Sequence, residues 1–176
     1  MTTVSTPDWR LHGVRVVRSD ELDLNTPQTP GMTRAAAITH ATAGANKLWA
    51  GTVTIHPNAK TGPHHGKLES VIYVISGRAR MRWGEPLEFV AEAGPGDFFY
   101  VPPLVPHQEI NASHDEPLAC VVVRNDQEPI DCQSRYSACR VAGGGALGRP
   151  YPSAPLGSWR TGSGSSGIVK GYAPAT

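Results

Sequence analysis

Apolar and polar side chains alternate along several short stretches of this chain. Over residues 48–56, Trp49, Val53 and Ile55 share one parity, and Thr52, Thr54 and His56 share the other. Over 79–83, Ala79, Met81 and Trp83 face one way, while Arg78, Arg80 and Arg82 face the other. A two-residue period is the signature of a strand with one buried face, and the arginines read as its solvated side. Residues 70–76, 87–90, 98–101, 107–111 and 118–124 add further β-rich runs, the last of them apolar enough to be buried. Turn residues separate them, notably Gly77, Gly84, the 94–97 stretch Gly-Pro-Gly-Asp and the Pro102-Pro103 pair. Strands spaced about 8–12 residues apart imply an all-β sandwich or closed barrel.

The flanks are weaker. Residues 13–18 suit a short strand added to a sheet edge, and 20–31, broken by Pro27 and Pro30, a loop that wraps the barrel. Residues 32–40 contain three alanines that would also suit a helix, but with Gly44 so near a strand is preferred. From 131 onward Gly, Ser, Pro, Ala and Arg dominate. Apolar residues there are too sparse to offset an ordering cost of about 1–2 kcal/mol per residue, so a disordered tail is expected. The organisation predicted is an arm and wrapping loop over 1–31, a barrel over 32–130 and a low-complexity tail over 131–176.

Composition narrows the partners. Among 176 residues, 16 Lys and Arg face 15 Asp and Glu, for a net charge of +1. With no polybasic run, neither a nucleic acid nor an anionic membrane is an expected partner. No apolar run is long enough to cross a bilayer. Residues 1–10 are polar and lack the apolar stretch of a secretory signal, so a cytoplasmic protein is expected. Three cysteines, Cys120, Cys132 and Cys139, form an odd set without CxxC spacing. That argues against a disulfide framework or a cysteine zinc site and fits a reducing compartment.

Candidate chemistry lies in two remote segments. The first holds His64, His65 and Glu69 and runs on to Gly77. The second holds Gly96, Pro102, His107 and Asn111. Imidazole and carboxylate are ligands for first-row metals, and strands hold them rigidly. Together the segments resemble the two motifs of the cupin superfamily. In the second, Gly96, Pro102, His107 and Asn111 fall at the family's spacing, and only an inner Gly is replaced, by Leu104. In the first, the histidines are adjacent where the family has His-x-His. Glu69 also lies one residue too far from Gly77, a position that Ser70 would fit. A bulge that absorbs the extra residue is the preferred explanation, because a serine hydroxyl is a poor ligand for these metals. The resemblance covers roughly residues 32–125.

It implies a double-stranded β-helix, or jelly roll, with a divalent transition metal inside. The ligands would come from His64, His65, Glu69 and His107. Neighbours on a regular strand point to opposite faces. Parity with Glu69 would select His65, but parity does not survive a turn at Gly66, so the choice stays open. Two imidazoles and a carboxylate leave coordination positions free, which favours Fe(II). Three imidazoles and a carboxylate would suit Mn, Fe, Ni or Zn equally. With Glu69 inward, Val71, Tyr73 and Ile75 would follow it, and Tyr73 would offer a phenol to a substrate. With His107 inward, Glu109 and Asn111 would share its face, and Glu109 could support the metal ligands or act as an acid or base. His12, His40, His56 and His114 read as surface residues. The functional expectation is a dioxygenase-like enzyme acting on a small organic molecule. The alternatives are a redox-neutral isomerase or lyase, or a small-ligand-binding module. A homodimer is expected, because small cupins pair through edge strands.

Overall fold

The computed structural model describes Asp8, Arg10 and residues 13–127. Eight strands and one short helix follow in the order β1 (Met32–Ile38), α1 (His40–Ala43), β2 (Trp49–Ile55), β3 (Ser70–Ser76), β4 (Ala79–Trp83), β5 (Phe89–Ala93), β6 (Phe98–Val101), β7 (His107–Asn111) and β8 (Leu118–Arg124). They form a five-stranded sheet, β1-β2-β8-β3-β6, and a three-stranded sheet, β5-β4-β7. Every named strand pair is antiparallel. The inner faces of the two sheets meet around Val53, Ile55, Ile72, Val74, Met81 and Leu118, which build one core. This is a jelly roll. No helix among the described residues is long and apolar enough to cross a membrane.

The alternation in the sequence carries through. On β2 the residues Trp49, Gly51, Val53 and Ile55 are buried and those between are not. On β4, Ala79 and Met81 enter the core. The arginine face of that segment is tied to its neighbours as well as solvated. Arg78 donates to the Ala112 carbonyl at 3.2 Å and Arg82 to the Leu87 carbonyl at 3.0 Å. Arg80 pairs with Glu92 at 2.6 Å. That pair is well exposed and adds little stability by itself. Gly77 closes the β3–β4 turn at φ +85, where a Cβ would lie 2.6 Å from the Pro117 carbonyl oxygen. Only glycine satisfies both the left-handed backbone and the close approach.

Four expectations are corrected. Residues 13–18 form no strand, and Val14 is fully exposed, because no strand edge receives them. The loop that follows pairs instead, with Asp23 and Ala36 exchanging two backbone hydrogen bonds of 2.9 Å. Next, β1 stops at Ile38 because Thr39 caps one helical turn, its hydroxyl accepting from the Thr42 N–H, and Gly44 ends that turn at φ 71. The strand placed at 87–90 is β5, Phe89–Ala93, since Leu87 sits in the preceding turn at φ 71.

The fourth correction concerns β3. Ile72 and Val74 are buried, whereas Val71, Tyr73 and Ile75 are 38%, 36% and 47% exposed. The pairing of β3 with β8 runs unbroken from Ser70↔Arg124 to Val74↔Cys120, and its irregularity falls later, between Val74 and Ser76. No bulge intervenes between Ser70 and Val74, so the odd-numbered residues stay outside. The tail expected from 131 lies outside the described residues.

Candidate metal centre

The three-stranded sheet extends past β7 through residues 59–64. Asn111 N–H donates to the Ala59 carbonyl at 3.1 Å, and Thr61 N–H donates to the Glu109 carbonyl at 2.9 Å. His64 and His107 then exchange two backbone hydrogen bonds of 2.9 Å. Pro63 has no N–H to donate, which fits a ladder that skips from Thr61 to His64. The register sets the two imidazoles side by side, ring centroids 4.3 Å apart and planes tilted by 54°.

Each ring is held by its own backbone. Nδ1 of His64 lies 2.9 Å from the Gly62 carbonyl, and Nδ1 of His107 lies 2.8 Å from the Val105 carbonyl. A carbonyl can only accept, so each Nδ1 carries the hydrogen, which in the neutral ring leaves the lone pair on Nε2. Both Nε2 atoms face the Glu109 carboxylate. His64 Nε2 is 3.6 Å from Oε2 and His107 Nε2 is 3.9 Å from Oε1. One ligand atom from each residue lies within 4.8 Å of the others, so the three could hold one ion. Such spacing suits donors each about 2.0–2.2 Å from a shared centre. Glu109 Oε2 is moreover shut off from solvent with no hydrogen-bond partner. A buried carboxylate oxygen in that state needs a cation or a donor. The residues fit a divalent ion.

Charge states agree. Burial lowers the His107 pKa, with Glu109 opposing, and the ring stays neutral. Burial works to raise the pKa of Glu109, but His64 and His107 outweigh it and the net shift is downward. A His107 ring held in its neutral form and an ionised Glu109 carboxylate are the states that metal ligation requires.

The other predicted residues stand elsewhere. His65 is not among the residues that line the cavity with His64, and its Nδ1 is buried without a partner. Glu69 is not with the imidazoles. Its Oε1 accepts from the Tyr100 hydroxyl at 2.8 Å and its Oε2 from Asn125 Nδ2 at 3.2 Å. Ser70 is the residue that lines the cavity, because β3 turns its even-numbered side chains inward. The carboxylate beside the two imidazoles is that of Glu109, placed by its two-residue spacing from His107. Tyr73 lies on the outside, its ring 4.7 Å from that of Phe98. Asn111 ties strand ends together, donating to the carbonyls of Ile55 at 3.0 Å and Glu116 at 2.8 Å. His40, His56 and His114 are exposed, and His12 lies outside the described residues.

The cavity that His64, His107 and Glu109 line also takes in residues of the five-stranded sheet, among them Arg34, Trp49, Ile72, Cys120 and Arg124. Sequence reasoning missed both arginines. The signal was their parity, Arg34 with Met32 and Arg124 with Leu118 and Cys120. Burial and then Glu109 push the Cys120 thiol up to about 11. It is therefore no thiolate near neutrality and no ready soft ligand. Alkylation needs the thiolate, so in the native protein at pH 8 Cys120 should react about 100-fold slower than in the urea-unfolded chain, speeding up as pH approaches 11. Mass spectrometry of the Cys120 peptide reads this directly. Equal rates in both states would contradict the burial.

Two antiparallel sheets with an inward-facing His-His-Glu group define a jelly-roll protein whose cavity residues could hold a metal ion. The cupin-domain family model matches residues 51–124, so this segment carries a cupin domain. Among curated proteins there is no match. Solved structures include the polyketide cyclase RemF from Streptomyces resistomycificus, 24% identical over 66% of this chain and 81% of that one, with a TM-score of 0.55. KdgF from Halomonas sp. is 18% identical over 65% of this chain and 96% of its own, with a TM-score of 0.53. These two likenesses show the fold alone. An oxalate decarboxylase is 26% identical with a TM-score of 0.51, but the match spans 58% of this chain and only 28% of that protein.

Proposed function

We propose that this chain is a metal-dependent cupin enzyme, its ion held by His64 Nε2, His107 Nε2 and Glu109, acting on a small organic molecule in the adjoining cavity. The observation that carries the reading is the convergence of those three groups, with both Nδ1 atoms committed to backbone carbonyls. Two imidazoles and one carboxylate cover one face of an ion and favour Fe(II), with Mn, Zn and Ni open to the same donors. Such an ion, when bound, offers open positions at which dioxygen, water or a substrate oxygen is activated. The chain's own residues supply the rest. The Gly62 and Val105 carbonyls fix the ring planes, and burial keeps His107 unprotonated. Ile72, Met81, Leu118 and Val122 line the cavity with apolar surface that excludes water. A dioxygenase-like reaction is the favoured chemistry. Protein loaded with Fe(II) without air should consume dioxygen once a substrate from a panel of small organic molecules is supplied. Turnover of the same substrate with no dioxygen present would replace this with a redox-neutral isomerase or lyase.

We also infer a homodimer. Val71, Tyr73 and Ile75 on β3 and Phe98 and Tyr100 on β6 are all exposed on the outer face of one sheet edge. Val71 pairs with Tyr100 and Tyr73 with Phe98, so the apolar surface is continuous, and such patches mark interfaces. Light scattering should give twice the 18.7 kDa chain mass, and Tyr73→Glu should return it to one chain. A monomeric parent protein would refute the interface.

A further inference from the structure

The cavity that His64, His107 and Glu109 enter has a second polar end. Arg34 on β1 and Arg124 on β8 both line it. Among the described residues, neither guanidinium has a carboxylate within ion-pair reach. Arg80, a third arginine on the cavity wall, differs because Glu92 already answers it at 2.6 Å. Arg34 gives one N–H to the Pro27 carbonyl at 2.9 Å. Arg124 lies over the face of Trp49, 4.1 Å from the ring centroid, and its Nε is buried with no acceptor.

This platform is built into the sheet. Gly51 is the next inward position after Trp49 on β2, and a Cβ there would lie 2.8 Å from Trp49 Cη2. The missing side chain lets the indole lie across that position, and the guanidinium lies on the indole. Arginine stacked in this way keeps the edge of its planar fork free for a planar, two-oxygen acceptor. Glu109 compensates the charge there only in part, with no ion pair formed. Burial first and Arg34 second pull the Arg124 pKa down to about 10, with Glu109 acting the other way. A buried charged N–H without a partner is costly, and such groups are normally satisfied. Around the two arginines the wall is apolar, with Val53, Ile72, Leu118 and Val122.

We propose that Arg124 and Arg34 form the recognition site for the carboxylate of a small carboxylic acid with an apolar body, placed so that the rest of the ligand extends toward His64, His107 and Glu109. The proposal deepens the reading of the cavity as a substrate site and rests on that cavity, but it does not need the ion. A hydrophobic carboxylate fits better than a phosphate, whose stronger hydration is poorly replaced by an apolar wall with one stacked fork.

The test uses the full chain stripped of metal by a chelator, titrated calorimetrically with benzoate, its neutral isostere benzamide, and inorganic phosphate. Benzoate should bind at least about tenfold more tightly than benzamide, the scale expected of a charge-assisted pair, and phosphate should bind no better than benzamide. Arg124→Gln should weaken benzoate at least about tenfold while leaving benzamide unchanged, and Arg34→Gln should do the same in smaller measure. If Arg124→Gln does not fold, as judged by its thermal melt, Arg34→Gln decides. Benzoate and benzamide binding alike or not at all, phosphate matching benzoate, or full benzoate affinity in the folded arginine variants would each overturn the assignment. A chain that holds metal but shows no preference for benzoate would overturn it and leave the ion reading standing. Preference for benzoate without metal uptake would do the reverse.

Discussion

Replacing Glu109 by alanine should strip the protein of its metal, whereas replacing Glu69 by alanine should leave metal content unchanged. Both carboxylates are close in sequence to a histidine, but only one faces the imidazoles. Glu109 offers two oxygens at 3.6 and 3.9 Å from His64 and His107 Nε2. Glu69 has each oxygen engaged by a neighbour, the Tyr100 hydroxyl and the Asn125 amide. Losing a group that merely orients a ligand lowers metal affinity about 10–100-fold, so losing the carboxylate itself should exceed 100-fold. Elemental analysis of each variant after purification without added metal reads the outcome, with about one ion per chain expected for the parent and Glu69→Ala. A Glu69→Ala protein without metal beside a loaded Glu109→Ala protein would reverse the assignment. The parent should also lose its ion on acidification as the imidazoles take up protons, since ligation requires them neutral.

Leu118→Ala should cost about 2–5 kcal/mol of folding stability, the range for a large core side chain cut back to alanine. Leu118 is 1% exposed. It stands on β8 between β2 and β3, in the middle of the five-stranded sheet. Little around it is free to collapse, because the neighbouring backbone is locked in both ladders and Gly77 passes close by, with a Cβ there only 2.9 Å from Leu118 Cα. Domains are stable by only about 5–15 kcal/mol, so such a loss is a large share of the whole. Urea unfolding with an unchanged slope is the measurement. A loss under about 1 kcal/mol would mean that the sheets do not close over this residue. Leu118 also lines the cavity, so the same variant should enlarge the space available to ligands.

The two arginines bear on both results. Arg124 adds a cationic wall on the side facing Glu109, and its pKa reflects burial, Arg34 and then that carboxylate. A metal ion and a substrate carboxylate would each supply the counter-charge that one end of the cavity lacks. The cavity would then order an amphiphilic acid by its two ends, without many polar contacts along its length.

The sequence by itself determined the strands with a clean two-residue period. On β2 and β4 the buried residues are those grouped by parity, and His107 and Glu109 share a face because they are two apart on one strand. The second motif, from Gly96 to Asn111, could be read for the same reason. Its spacing lies within a turn and a strand, where local chemistry sets the backbone. What only the tertiary structure decided is which face of a strand points inward. Alternation divides Glu69, Val71 and Tyr73 from Ser70, Ile72 and Val74 but does not say which set is buried. The unbroken pairing of Ser70 with Arg124 and of Val74 with Cys120 settles that. It sends Glu69 and Tyr73 outward and leaves the carboxylate to Glu109. That His64 packs its ring against His107 likewise follows from two backbone hydrogen bonds to a strand more than forty residues away. Arg34 and Arg124 become neighbours only when β1, β2 and β8 lie in one sheet. Local sequence fixes the period of a strand, whereas the sign of its faces is set by long-range partners, and the chemistry of the cavity depends on that sign.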